Sequence, residues 1–333
     1  MPRRPVLAAV ASACALLGAA ALVAGPAQTA GTPAGPTIGG CPVFPAGDAW
    51  NRDVSGDPVD PQSATYLGAE ARGASVHLDL GTKASEGYGI PFVTVKRGQR
   101  RLPIRFGVGG EDYRGESDRG RAPIPTTAPI EGGTPRRPDP AQGDRHVLVV
   151  ERGRCILTEL YHAQRVRSGG KVVAWRASSV ARFDLRHPTP RPAGWTSADA
   201  AGLPILPGLL RHSEAAGAGI HHALRVTLPV ARKGYTAPAR HCGPSERPDV
   251  LPYGARLRLK ASFAEGRYRG PALAIVRALK RYGLIFADQG SALYVSGTTD
   301  PGWSSALEQV HGGAGRIPWD AFEVLQLGRV TRC

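Results

Sequence analysis

Between Arg191 and Leu210 the chain reads RPAGWTSADAAGLPILPGLL, a run that fixes its own conformation more tightly than any other in the sequence. Pro192, Pro204 and Pro207 lock φ and remove backbone donors, so no long helix can form there. Thr196 and Asp199 make a Thr-x-x-Asp capping pattern ahead of Ala200 and Ala201, and Gly202 with Pro204 ends it almost at once. A short helical turn is expected. The apolar remainder is too short and broken to span a membrane and is expected to cross the core as a rigid connection. The stretch therefore speaks about architecture, and chemistry has to be sought elsewhere.

The first residues carry Arg3 and Arg4, an apolar run from Val6 to Val23, and small residues at Gly25, Ala27 and Thr29. That order of charge, apolar run and small residues predicts a secretory signal peptide over 1–29, followed by a Gly/Pro/Thr-rich spacer over 30–40. Secretion to the extracellular space, with no stable membrane insertion after cleavage, is the corresponding expectation. Cys14 falls inside the apolar run, which leaves Cys41, Cys155, Cys242 and Cys333. Four cysteines in an exported chain read as two disulfides with three possible connectivities, of which Cys41 to Cys155 and Cys242 to Cys333 is the expected one. No Cys-x-x-Cys or His-x-x-x-His spacing supports zinc, so neither a metal nor a cofactor is expected.

The chain has a net charge of +15, and without Arg3 and Arg4 it holds 40 basic against 27 acidic residues. The basic residues are scattered, and no nucleic-acid-binding motif accompanies them. The expected consequence is loose adhesion to anionic wall polymers or acidic glycans, not nucleic-acid recognition.

From Ser75 onward short alternating runs dominate: 76–80, 90–95, 102–108, 146–151, 155–161, 172–175, 180–185, 220–228, 256–260, 284–287 and 292–296. Pro271 to Tyr282 is the one clear amphipathic helix, with Pro271 in its first turn and Gly283 at its end. Gly109 to Asp144 is acidic at first and then rich in Pro, Gly and Arg, which predicts a long surface loop. The reading is a mainly β, minor α protein: one domain over 41–333, a sandwich or jelly-roll-like body with long loops, monomeric.

Seven segments, CPVFPAGDAWN at Cys41, PIEGG at Pro129, GDRHVLVV at Gly143, RPAGWTSADAAGLPILPGL at Arg191, HALRVT at His222, ARH around Arg240 and LKRYGLIFADQGS at Leu279, together resemble a family of secreted bacterial proteins of unassigned activity. The resemblance covers nearly the whole chain after the leader and implies a single exported domain. It carries over no catalytic residue or cofactor. The run from Glu111 to Asp118 departs from the pattern, since Glu-Asp-Tyr-Arg-Gly stands where an Asp-Glu-Ser-Asp-like run is expected to begin.

Three polar residues share parity with aliphatic neighbours on predicted strands: His146 with Leu148 and Val150, Glu159 with Leu157 and Tyr161, His222 with Leu224 and Val226. Buried ionisable groups are costly unless paired, so Glu159, His146 and His222 are expected to meet as a catalytic cluster, unless backbone groups satisfy each one separately at a strand end. Arg225, Arg240, His241, Lys260 and Asp288 are the ligand-binding candidates, with Arg225, Arg240 or Lys260 holding an acidic sugar. A glycosidase would need a second carboxyl beside Glu159, with Asp144, Asp184 or Asp288 available. The corresponding function is a carbohydrate-active enzyme acting on an anionic or neutral polysaccharide. The alternative is a non-catalytic glycan-binding or envelope structural protein, with Trp175, Trp303 or Tyr294 as a stacking platform. Serine-hydrolase, phosphate-loop and dinucleotide motifs are absent, and calcium binding by Glu111, Asp112, Glu116 and Asp118 lacks regular ligand spacing.

Overall fold

The alternating runs pair into three principal sheets. In chain order the strands are β1 (Thr37–Ile38), β2 (Cys41–Pro42), β3 (His77–Asp79), β4 (Phe92–Val95), β5 (Leu102–Phe106), β6 (Arg121–Ala122), β7 (Val147–Glu151), β8 (Ile156–Tyr161), β9 (Gln164–Ser168), β10 (Lys171–Ala177), β11 (Ser179–Asp184), β12 (Leu224–Leu228), β13 (Arg232–Tyr235), β14 (Pro252–Tyr253), β15 (Arg256–Leu259), β16 (Leu284–Gln289), β17 (Tyr294–Ser296) and β18 (Phe322–Val324). The helices are α1 (Ser63–Ala69), α2 (His212–Ala215), α3 (Gly270–Arg281) and α4 (Ser304–His311). This computed structural model describes residues 1–2 and 35–333. The leader predicted over 1–29 and the first part of the spacer lie outside the described residues, apart from Met1 and Pro2. Strand outweighs helix, 28% to 15%, so the protein is a mainly β single domain, as the alternation predicts. No helix among the described residues is long and apolar enough to cross a membrane.

The middle sheet, ordered β11-β8-β7-β4, organises the packing. Its strands are apolar on both faces because both faces are covered. Leu148, Val150, Leu157, Ala181 and Phe183 belong to the larger core, shared with the six-stranded sheet β18-β15-β16-β12-β17-β3. Val147, Val149, Leu160 and Val180 point the other way, into a smaller core with Leu102, Trp175 and Ala177 of the outer sheet β6-β5-β10-β9. The sheets are mixed. β3 with β17, β4 with β7, β5 with β10 and β12 with β16 run parallel, while the hairpin β7–β8 and the pair β8–β11 are antiparallel.

Helix α3 follows the expectation: Pro271 lies in its first turn, Ile275, Val276 and Leu279 are buried, and Lys280 and Arg281 close it. Gly283 then turns the chain into β16 at φ 70, where a Cβ would lie 2.2 Å from the Leu257 carbonyl oxygen, so only glycine fits. Both expected disulfides are formed, Cys41–Cys155 and Cys242–Cys333.

The Arg191–Leu210 stretch is a rigid core crossing, with Leu203, Ile205, Leu206, Leu209 and Leu210 buried, and the short turn expected after Thr196 forms as a single turn closed by the Gly202 N–H on the Asp199 carbonyl at 3.1 Å, without the expected side-chain cap. The capping groups are engaged elsewhere. The Thr196 hydroxyl donates to the Asp199 and Ala200 carbonyls, and the Asp199 carboxylate accepts from Arg225. A 3-10 turn follows over Leu206–Gly208.

Candidate functional site

Register brings polar residues of the six-stranded sheet onto one face. Ser296 stands beside Asp79, and Tyr294 beside His77, while Thr227 stands opposite Tyr294. Continuing that antiparallel register by one residue places Arg225 next to Ser296, and their side chains are hydrogen-bonded. A register shift between Val226 and Thr227 displaces β16, and Asp288 reaches the same place. Such irregularities are a usual means of re-aiming a side chain near a site.

Arg225 is the hub of this cluster. Its Nε and Nη2 donate to the Asp199 carboxylate at 3.0 and 2.7 Å, and Nη2 lies 3.6 Å from Asp288. Asp199 has no exposed side-chain surface, whereas Asp288 keeps a quarter of its own open to solvent. Burial, and next the Asp199 carboxylate within hydrogen-bond reach, hold Asp288 well above the ordinary carboxylate range. Asp199 is engaged by Arg225, and Asp288 is the neighbouring carboxyl that is pushed toward its protonated form.

The opposing wall is the end of the middle sheet. His146 precedes β7, and the β7–β8 register continued by one residue sets it beside Tyr161; their rings are 5.8 Å apart. His146 Nδ1 donates to Glu131 at 2.6 Å, and Nε2 donates to the Ala198 carbonyl at 3.0 Å. A ring that faces two acceptors needs both protons. Burial opposes the charge, but the Glu131 carboxylate outweighs it and holds His146 up at about 9. Burial likewise raises Glu131, and His146 overrides it to leave that carboxyl below its ordinary value. Burial and then Asp144 push the Tyr161 phenol upward, so it stays a donor. Asp79 is raised by burial and by Glu131. Tyr161 stacks on His162, which pairs with Glu111 at 3.1 Å.

The result is a partly buried polar cluster between the two sheets, rich in carboxyls, in which Asp288 is held above and Glu131 below the ordinary carboxylate range. Ligand atoms of Glu131, Asp144 and His146 lie within 4.8 Å of one another, close enough for a cation. Both His146 nitrogens already face acceptors, so the ring fits an ion-pair partner better than a metal ligand.

The structure brings His146, Arg225 and Asp288 together and places Glu159 beneath them, but the expected Glu159 to histidine pair is corrected. Glu159 accepts hydrogen bonds from the Ile205 and Leu206 N–H groups at the start of the 3-10 turn. Burial raises it to about 7, with those N–H groups opposing. Its role is to hold the proline-rich crossing, as the expectation of backbone satisfaction allows.

His222 is likewise corrected. It lies between Arg211 at 3.0 Å and Glu214 at 3.1 Å and hydrogen-bonds neither His146 nor Glu159. Burial raises Glu214, but Arg211 and His222 prevail and bring it down to about 2. Lys260 donates to the Asp320 carbonyl on the β18 side of the six-stranded sheet and joins no cluster. Arg240 donates to the Arg191 carbonyl and lines an apolar cavity of about 270 Å³ beside Phe183. His241 approaches Glu116 at 3.8 Å, and Glu116 accepts from the Thr196 N–H. The acidic loop is thus structural: Asp118 pairs with Arg191 at 2.7 Å. Trp175 and Trp303 are fully buried core residues, which removes them as a stacking platform; Tyr294 stays half-buried against His77.

Sequence parity missed Glu131, Asp79, Asp199 and Ser296, because they lie in loops or at the ends of three-residue strands. One signal could have found several of the cleft residues. Five of the seven quoted segments each deliver one or more: Glu131, then Asp144 with His146, then Asp199, Arg225 and Asp288. No protein-family profile, no curated protein and no solved structure matches this chain.

Proposed function

We propose that the protein is a secreted glycoside hydrolase whose inter-sheet cleft cleaves a neutral or amino-sugar polysaccharide. The observation that carries this reading is the Asp199–Asp288 pair on Arg225, whose solvent-reachable member is pushed toward its protonated form. Hydrolysis of a glycosidic bond requires one carboxylic acid and one carboxylate. In this reading Asp288 gives its proton to the departing glycosidic oxygen, and a water attacks the anomeric carbon. Glu131, kept ionised by the His146 imidazolium, takes the proton of that water. Tyr161 offers its hydroxyl to the sugar, and Arg225 fixes Asp199 so that Asp288 remains the acid.

The sign of the cleft favours this substrate class over an acidic sugar. Asp79, Glu131, Asp144, Asp199 and Asp288 surround a single fixed arginine and one locked imidazolium, and a uronate would meet repulsion there. The two disulfides fit an oxidising, extracellular compartment.

The test is release of reducing ends from glucan, xylan and chitin suspensions. Wild type is expected to act on at least one of them, and Asp288→Asn to lose about 10²-fold or more of that rate, the scale of a lost general acid, with its melting curve still cooperative. Full activity in Asp288→Asn, or no new reducing ends from any of these polymers, would sink the proposal.

A further inference from the structure

The middle sheet is chemically polarised along its strands. β7 begins beside the acidic cleft at His146 and ends at Glu151, about 17 Å away at ordinary strand rise. At that far end two turns lie side by side. The β4–β5 turn is closed by the Gln99 N–H on the Lys96 carbonyl, and the β7–β8 turn is tied to it by the Arg152 N–H on the Val95 carbonyl at 2.8 Å. A Cβ on Gly153 would lie 3.7 Å from Arg97, so the turns touch. The third member is Arg186, which follows β11 and donates to the Gly153 and Arg154 carbonyls.

These turns gather Lys96, Arg97, Arg100, Arg152 and Arg186, none of which is ion-paired among the described residues; Lys96, Arg97, Arg100 and Arg186 are exposed. Arg101 and Arg154 flank them and share one buried carboxylate, Glu151, at 2.8 and 3.6 Å, so that trio also keeps a positive charge. Like charges crowded on adjacent turns repel, and the crowding is relieved by an anion that bridges them. The support is rigid, since Cys155 closes the β7–β8 turn and is bonded to Cys41.

We propose that this end of the middle sheet is a binding site for an anionic polysaccharide, separate from the proposed catalytic cluster and used to hold the protein on a charged matrix that accompanies its neutral substrate. Three features favour a charged glycan. The site is dominated by arginine, whose planar fork suits carboxylate and sulfate groups. The exposed aromatic rings among the described residues, Tyr88 and Tyr113, lie elsewhere, beside Thr299 and Ser178 respectively, so no ring is offered for base stacking. The arginines span several turns, matching a chain with repeated charges better than one small anion.

The experiment is affinity electrophoresis of the full protein in gels containing polygalacturonate, with dextran as the uncharged reference, at about 0.15 M ionic strength. Wild type is expected to be retarded by polygalacturonate and not by dextran. The variant Lys96→Glu, Arg97→Glu, Arg100→Glu should weaken that retardation by about tenfold or more, as expected when several ion contacts are reversed. A control with the same charge change at exposed positions elsewhere, Arg72→Glu, Arg316→Glu, Arg329→Glu, should stay near wild type. Equal losses in both triple variants would reduce the effect to net charge and overturn the site, as would unchanged retardation in the turn variant. Stronger retardation by single-stranded DNA or by anionic vesicles than by polygalacturonate would also overturn it. Asp288→Asn should be retarded like wild type, which keeps failure of the hydrolase reading distinguishable from failure of this one.

Discussion

His146 is the residue on which the cleft's protonation turns. Its pKa is raised from 6.5 to about 9, so its contribution to stability is fully present below pH 6.5 and is lost as pH rises through 9. The effect is on the order of 3 kcal/mol. Melting temperature should therefore fall between pH 6.5 and about 9.5 in wild type and fall less in His146→Gln. A profile of wild type that stays level over that window would contradict the ion pair. Parity on β7 was enough to place His146 inward, because Leu148 and Val150 share its face. Its partner was not legible, since Glu131 sits in a Pro/Gly passage without periodicity and reaches the ring only through tertiary packing.

At the scale of elements, the proline-rich crossing shows how tertiary contacts override local signals. Its capping pattern is written in the sequence and a single turn follows it, yet Thr196 and Asp199 bond elsewhere and do not cap that turn. The 3-10 turn further on is held by Glu159 below and by Trp50 of the N-terminal arm above. A Cβ on Gly208 would lie 2.5 and 2.8 Å from Trp50 ring carbons and 2.9 Å from the Arg225 backbone nitrogen. Gly208→Ala should thus cost about 1–3 kcal/mol in urea denaturation, the range for forcing an extra group into a packed core. A change below about 0.5 kcal/mol, as at an ordinary surface position, would show that Trp50 can yield. Strands with clean alternation and the capped helix α3 were readable because burial and local propensity agree there.

For the molecule as a whole, the two disulfides close loops of 114 and 91 residues, Cys41 to Cys155 and Cys242 to Cys333. Replacing Cys41 and Cys155 together with alanine should lower stability by about 2–5 kcal/mol and leave the second bond intact in non-reducing peptide mapping. Loss of less than about 1 kcal/mol would mean that the arm is held by Phe44 and Trp50 alone. The cysteine count limited the pairings to three, and the mainly β class followed from the alternating runs. Sheet order did not follow, because the parallel pairs join segments far apart in the chain and no local pattern encodes them.

The parallel pairing of β3 with β17 has a consequence for how the protein is made. Asp79 is synthesised early and Ser296 late, yet each enters the cleft wall only beside the other. Translation must pass Ser296 before Glu131, Arg225 and Asp288 can stand against a complete wall. A nascent chain that stops short of β17, or a fragment released from either half, therefore lacks one side of this wall.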